Sequence, residues 1–452
     1  MTGPLTAGFA KVDITPQPGI HLGGYWGRTS GAVDVRDPLW ARALVLGAGA
    51  GRVGLVALDL VGLDAATAMR MRQAAAAASG IGPDQLMVCC THTHAGPLTL
   101  SFRGMGEMDT AYVRSLIDTV AGVVATACED GAPARLAYAR PQVQLGANRR
   151  QEVGGEVILG RDPDGPVVPY AHVVHLDRAG CPDIVLCSHP CHPVVLGSAN
   201  HSISADFPGA AVRAVERRTN SHALFVNGAC GDINPRLTRG TPADVDELGE
   251  ELAAAVVGGL GEATSWPVDR VAGTRHGAEL PLVDPPSVAR AGAIRTWLEL
   301  RAAAIRCRRG GGYWARLVPQ ARVQWARDLL ALSRTGARGL RQDFEVQGIA
   351  VGPLALVGME GEMFARYQLE LEAGSPVQPT VLVGYANGCV GYVPTADEFD
   401  RGGYEVGSGY RIAQGRGVDA YQVYPTVQML SSECDGTVRD AVRTVLARLA
   451  AQ

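Results

Sequence analysis

Lysine is nearly missing from this sequence. Lys11 is the single one, so of 41 basic side chains all but one are guanidinium groups. Charge of either sign is sparse at 19%, and the formal net charge is −4. A nucleic-acid binder needs a basic surface, so no nucleic-acid partner is expected. The ten cysteines contain no CxxC spacing, which excludes zinc-ribbon and thioredoxin-like sites. Several, such as Cys187 and Cys230, lie inside apolar runs, where a reduced thiol behaves as a small hydrophobe. GxGxxG and GKS/GKT are also missing, so the glycine-dense stretch Gly23-Gly24-Tyr25-Trp26-Gly27 is not read as a phosphate cradle. The N-terminus has neither the basic start nor the apolar segment of a secretory leader. No window of about 18 residues reads as apolar enough to cross a bilayer. Together these absences predict a reduced, cytoplasmic protein with no stable membrane insertion.

What is present is a long chain, 452 residues, with a hydrophobic fraction of 47%, enough for a large core. Residues 7–15 alternate like a first strand and end at Pro16 and Pro18. Residues 39–46 and 53–60 read as a strand pair around a glycine-rich turn, and the alanine-rich stretch 65–78 reads as a helix. A helix is expected over 111–128. Strands follow at 134–140 and 167–176, separated by a polar, glycine-rich loop at 146–166. Later strands at 184–187, 223–226, 344–350, 354–357 and 380–385 alternate with helices at 210–218, 244–260 and 434–451. This succession predicts an α/β fold of layered mixed β-sheets flanked by helices. Residues 287–341 form an Arg-rich helical insert with breaks at Gly310-Gly311-Gly312 and Pro319. Trp297, Trp314 and Trp325 lie along it. An amphipathic pair with a solvated Arg face fits it better than a lid. No internal repeat interrupts a single domain spanning 1–452, and a homo-oligomer is compatible with it.

The chemistry is concentrated at strand ends. Val88-Cys89-Cys90-Thr91-His92-Thr93-His94-Ala95-Gly96-Pro97 joins an apolar strand to a Gly-Pro stop. In a strand, His-x-His sends both imidazoles to one side, where they can meet a metal. The same arrangement recurs at Ser188-His189-Pro190-Cys191-His192-Pro193, at Gly231-Asp232-Ile233-Asn234-Pro235, at Gly361-Glu362, and at Gly391-Tyr392. In α/β sheets, strand ends are where sites are built. Two His and one carboxylate with a position left open is the pattern of catalytic zinc.

Over nearly its whole length the chain resembles the catalytic domain of the neutral/alkaline ceramidase family. The matching pieces are Thr91-His92-Thr93-His94-Ala95-Gly96-Pro97, Asn148-Arg149, His192-Pro193 with Asn200-His201 and Ser204-Ala205-Asp206, Gly231-Asp232 with Pro235, Gly361-Glu362, and the Tyr392/Tyr404 pair. The resemblance implies a Zn2+ ion held by His92, His192, Glu362 and Tyr392. It also implies that His94, Arg149 and Tyr404 face the substrate. Two departures stand out. Asn234 occupies the place of the family's catalytic serine, and no C-terminal β-sandwich domain is expected.

The expected activity is zinc-dependent hydrolysis of an N-acyl amide of a small molecule through a metal-activated water, a nucleophile that makes the missing serine tolerable. His94 would serve the oxyanion or the leaving amine, with Tyr404 and Asn234 as further donors and Arg149 as a bidentate anchor. Asp59 and Asp206 are candidates to orient the ligand imidazoles. Two rivals use the same site: a zinc-dependent enzyme that forms an amide or closes a ring in small-molecule biosynthesis, and a non-catalytic metal-containing binding protein.

Overall fold

The structure, a computed structural model, describes residues 4–25, 28, 30–307, 314–407, 419–427 and 429–451. Its centre is two β-sheets packed face to face. The larger sheet has nine strands. Their order begins with His222–Val226, Ile184–Ser188, His172–Arg178 and Ala132–Ala139. It continues through Thr6–Asp13, Trp40–Ala48, Gly51–Leu58 and Leu86–Cys90. Thr264–Trp266 adds beside Ala132–Ala139. Most neighbours are antiparallel, while Ile184–Ser188 with His222–Val226 and Gly51–Leu58 with Leu86–Cys90 are parallel. The second sheet orders Val271–Pro281, Arg341–Val351, Leu354–Met359 and Thr380–Val383, the last pair parallel. The expected α/β fold of layered mixed sheets is therefore present.

Period-two alternation builds the layers. Along Trp40–Ala48, Leu44, Leu46 and Ala48 enter the core between the sheets, where they meet Ile349, Leu356 and Val383 of the second sheet. Ala41, Ala43 and Val45 point the other way, toward α1 (Ala65–Ser79) and α2 (Thr110–Glu129). Asp64 caps α1 by accepting from Thr67 N, and Asp109 caps α2 in the same manner. The rest of that face is covered by α3 (Asp206–Thr219) and α4 (Pro242–Leu260). These two cross so closely that a Cβ on Gly249 would lie 2.4 Å from that of Ala210. Beyond the second sheet lie α7 (Ala365–Gly374) and, after the short α8 (Ala396–Arg401), α9 (Cys434–Ala451); they bury Phe364, Leu371, Val438 and Val445 against Phe344, Val357 and Leu382.

Three expectations need correction, and one strand was not expected at all. α2 has the length and apolarity of a membrane span, with mean hydropathy 1.3, so one window does qualify. Its many Val and Ala residues reach that value despite Asp118 near its middle. Here its Leu116, Val120 and Val124 pack into the sheet. Residues 146–166 are not a loop: Gly146–Val153 and Glu156–Asp162 form a hairpin turning at Gly154 and Gly155, both at positive φ. Val271–Pro281 is a long strand whose polar, half-exposed sequence hid it. Pro319 lies within α6 (Trp314–Thr335) and does not end it. The expected glycine break at 310–312 lies outside the described residues.

The insert is the hairpin of α5 (Val288–Cys307) and α6. Its Trp325, Leu329 and Ile294 pack on Tyr421 and Met429, and Trp325 Nε1 donates to Val427 O at 2.8 Å. It thereby clamps the segment around 419–427 against the body. The solvated Arg face is present in part, since Arg327 is exposed while Arg322 is buried.

Candidate metal centre

The Leu86–Cys90 strand stops two residues short of the first histidine. Thr91 N and His92 N donate to Leu58 O and Leu60 O, each at 2.9 Å, and His92 takes φ 69°, a left-handed conformation that costs a non-glycine residue energy. His92 and His94 therefore meet through a turn and not through strand alternation, with ring centroids 4.7 Å apart. Tyr385, itself at φ 55°, stacks on the His92 ring at 3.9 Å. His92 Nδ1 donates to Val61 O at 2.6 Å, which leaves Nε2 with a lone pair.

His192 is fixed by the same logic. Its Nδ1 donates to Cys230 O at 2.6 Å, and its Nε2 faces inward. Glu362 Oε2 lies 3.1 Å from that nitrogen and 3.2 Å from His92 Nε2. Burial, reinforced by the Arg149 guanidinium, pushes the His192 pKa down to about 4. The ring is thus neutral near pH 7, the form that ligates metals. Burial would raise the Glu362 pKa, but the two imidazoles outweigh it and hold the carboxyl well below its usual range. Donors about 2.0–2.2 Å from a tetrahedral ion lie roughly 3.4 Å apart, so these three atoms fit one divalent cation. Backbone carbonyls hold both outer nitrogens, which corrects the second-shell role expected for two carboxylates. Asp59 accepts from Arg42 Nη1 at 2.7 Å and from Trp40 N at 2.9 Å. Asp206 accepts from Phe207 N at 2.8 Å.

The other named residues surround this group. His94 Nε2 is 3.1 Å from His92 Nε2, and the ligand atoms of His92, His94 and His192 all lie within 4.8 Å of one another. His94 is thus close enough to join the donors as well as to face a substrate. Its Nδ1 is buried without a hydrogen-bond partner. Gly24, at φ 86°, passes so near that a Cβ there would lie 2.3 Å from the His94 ring. Tyr392 pairs with Glu362 across a short parallel ladder, and the Arg149 guanidinium lies over its ring, 5.1 Å from the centroid. Burial raises its pKa well above the ordinary value.

A three-stranded sheet places Arg149 and Asn234 together. Ile233–Pro235 pairs with Gly146–Val153, Asn234 opposite Ala147, and Arg149 N donates to Asp232 O at 2.8 Å. Arg149 Nε donates to Glu405 at 2.8 Å and Nη1 to Asn234 Oδ1 at 3.2 Å. Its Nη2 is buried and unpartnered. Tyr404 lies 5.7 Å from Tyr392, ring to ring. His94, Arg149, His192, Asn234, Tyr392 and Tyr404 all line one cavity of about 1020 Å³, at the upper end of ligand-site sizes.

Two participants were not read from the sequence. Tyr424 donates its hydroxyl to Glu362 Oε1. Tyr385 reaches Glu362 Oε2 at 3.4 Å. Tyr424 sits in a short segment with no periodic pattern, so only tertiary contact brings it here.

No family model and no curated protein matches the sequence. Solved structures do match. The crystal structure of neutral ceramidase from Pseudomonas aeruginosa superposes with a TM-score of 0.68 at 19% identity, covering 99% of this chain and 74% of that one. A structure described as ceramidase complexed with C2 gives 0.67 at 18%, covering 99% and 76%. At this identity the likeness shows the fold, and the ceramidase-like architecture expected from the motifs is present along the whole chain.

Proposed function

We propose that this chain is a metal-dependent amidohydrolase that cleaves an N-acyl amide, with zinc held by His92, His192, Glu362 and Tyr392. One observation carries the reading: a buried carboxylate oxygen within 3.2 Å of two imidazole nitrogens, each ring oriented by a backbone carbonyl, at the end of a ligand-sized cavity. The shared fold with ceramidases supports the amide as the bond attacked. A bound zinc supplies Lewis acidity toward the carbonyl and lowers the pKa of water to about 7.

The chain's own side chains do the rest. Arg149 Nη2 is a buried donor with no partner and offers itself to the carbonyl oxygen as negative charge grows there. Burial and the neighbouring imidazoles push the His94 pKa well down, so it rests neutral and can accept a proton and pass it on. In the overall step the water oxygen bonds to the acyl carbon, the C–N bond breaks, and a water proton ends on the leaving amine. Asn234, held by Arg149, supplies an amide and not a nucleophile, which is consistent with water attack. Tyr404 is a further donor beside it.

The test is elemental analysis of the purified protein, followed by assays on N-acyl amides with and without a chelator. One zinc per chain and chelator-sensitive hydrolysis are expected. Hydrolysis that persists in metal-free protein contradicts the reading, and product analysis that finds only amide formation favours the biosynthetic alternative. His94→Ala should abolish turnover with zinc content unchanged; a joint loss of zinc would make His94 a ligand.

A further inference from the structure

Resting on the amidase reading, we propose that the substrate carries an anionic group, a carboxylate or a phosphate, which Arg161 and Arg239 bind at the mouth of the cavity. Among the described residues, the cavity lining holds four arginines and two histidines and no carboxylate; Glu362 lies behind it, against His192. Two of these arginines are already neutralised. Arg149 pairs with Glu405 at 2.8 Å, and Arg236 with Glu247 at 3.2 Å and with Glu251. Arg161, on the Glu156–Asp162 strand, and Arg239, in the turn after Ile233–Pro235, are exposed and have no ion pair among the described residues. They approach from different elements.

A third observation points the same way. Arg28 is buried beneath this wall, its guanidinium bonded only to the carbonyls of Gly23, His94 and Gly197 and lying over the Tyr25 ring. Among the described residues it has no carboxylate partner, so its charge adds to the positive potential of the cavity. Burial lowers its pKa only to about 10, and it stays charged at neutral pH. Leu159, at the mouth, and Val194 and Leu196, deeper in, give apolar surface for the acyl chain. Arginine recognises a planar or tetrahedral oxyanion by paired donors.

Three probes of one acyl length separate the cases: N-octanoylglycine, its methyl ester, and N-octanoyl-phosphoethanolamine, each given to the zinc-loaded enzyme. Both kcat/KM and, by calorimetry, Kd are measured at low and high salt. The anionic probes should be preferred over the ester by about tenfold or more, with the preference shrinking as salt rises. The better of the two anions identifies the group. In the R161Q/R239Q double variant the preference should collapse toward unity, while R443Q, a charge removal on distant α9, should keep it. Equal affinity for acid and ester, or a preference that survives the double variant, overturns the proposal. If no probe is hydrolysed the amidase reading fails, and the calorimetric preference still decides the anion site.

Discussion

Replacing Tyr424 by Phe removes one hydroxyl and leaves the ring contacts with Phe102 at 5.1 Å and Tyr392 at 6.2 Å in place. That hydroxyl is the partner of Glu362 Oε1, so it holds the carboxylate with its other oxygen toward His92 and His192. A hydrogen bond to a charged acceptor contributes about 1.5–3 kcal/mol, and partners that orient metal ligands are worth about 10- to 100-fold in metal affinity. The two estimates agree, since about 1.4 kcal/mol is a factor of ten. The segment is otherwise well anchored: Arg103 Nη2 donates to Pro425 O at 2.8 Å and Trp325 Nε1 to Val427 O at 2.8 Å, so the variant should fold. Competition with a chromogenic chelator would measure zinc affinity, with thermal unfolding in excess chelator as the control for folding. The expected result is zinc binding weakened about tenfold or more, a matching loss of kcat/KM at limiting zinc, and recovery at high zinc. Affinity within twofold of the parent would refute the assignment of Glu362 as an oriented ligand.

Gly24→Ala should lower kcat while zinc content stays full, because the new methyl would lie 2.3 Å from the His94 ring and displace it; unchanged kinetics would remove His94 from the reaction. Trp325→Ala should destabilise the protein by about 3–5 kcal/mol and also weaken zinc binding by freeing the Tyr424 segment, as chemical denaturation and chelator competition would show. Glu360 tests the electrostatics away from the site. Burial, with Glu345 and Asp343 nearby, raises its pKa to about 8, above its unfolded value, so the folded state holds the extra proton. Its contribution to stability is present at low pH and is lost as pH rises toward and through about 8. Glu360→Gln should therefore stabilise the protein at pH 9 relative to pH 5 by on the order of 2–3 kcal/mol, and equal effects at both pH values would contradict the shift.

The layered architecture was legible because its strands are short apolar runs bounded by Gly and Pro, and its helices carry ordinary caps. The His92, His192 and Glu362 group was legible only through the motif resemblance, since nothing local links residues so distant in sequence. Geometry then altered the reasons. The His-x-His pair converges through a left-handed turn at His92, and backbone carbonyls orient the rings where Asp59 and Asp206 were expected. The 146–162 hairpin was hidden because its glycines and arginines read as loop, although Arg149 and Arg150 face buried carboxylates: Arg149 donates to Glu405 at 2.8 Å, and Arg150 to Glu398 at 2.9 Å and to Glu405 at 2.6 Å. Tyr424 left no signal, because its place depends on how the helical insert presses one irregular segment against the body.

The most direct measurement is anomalous X-ray diffraction at the zinc edge from crystals of the purified protein. The account predicts a single strong peak between His92 Nε2, His192 Nε2 and Glu362, at the inner end of the cavity. A peak elsewhere, or no peak in protein that hydrolyses its amide at full rate, would contradict it.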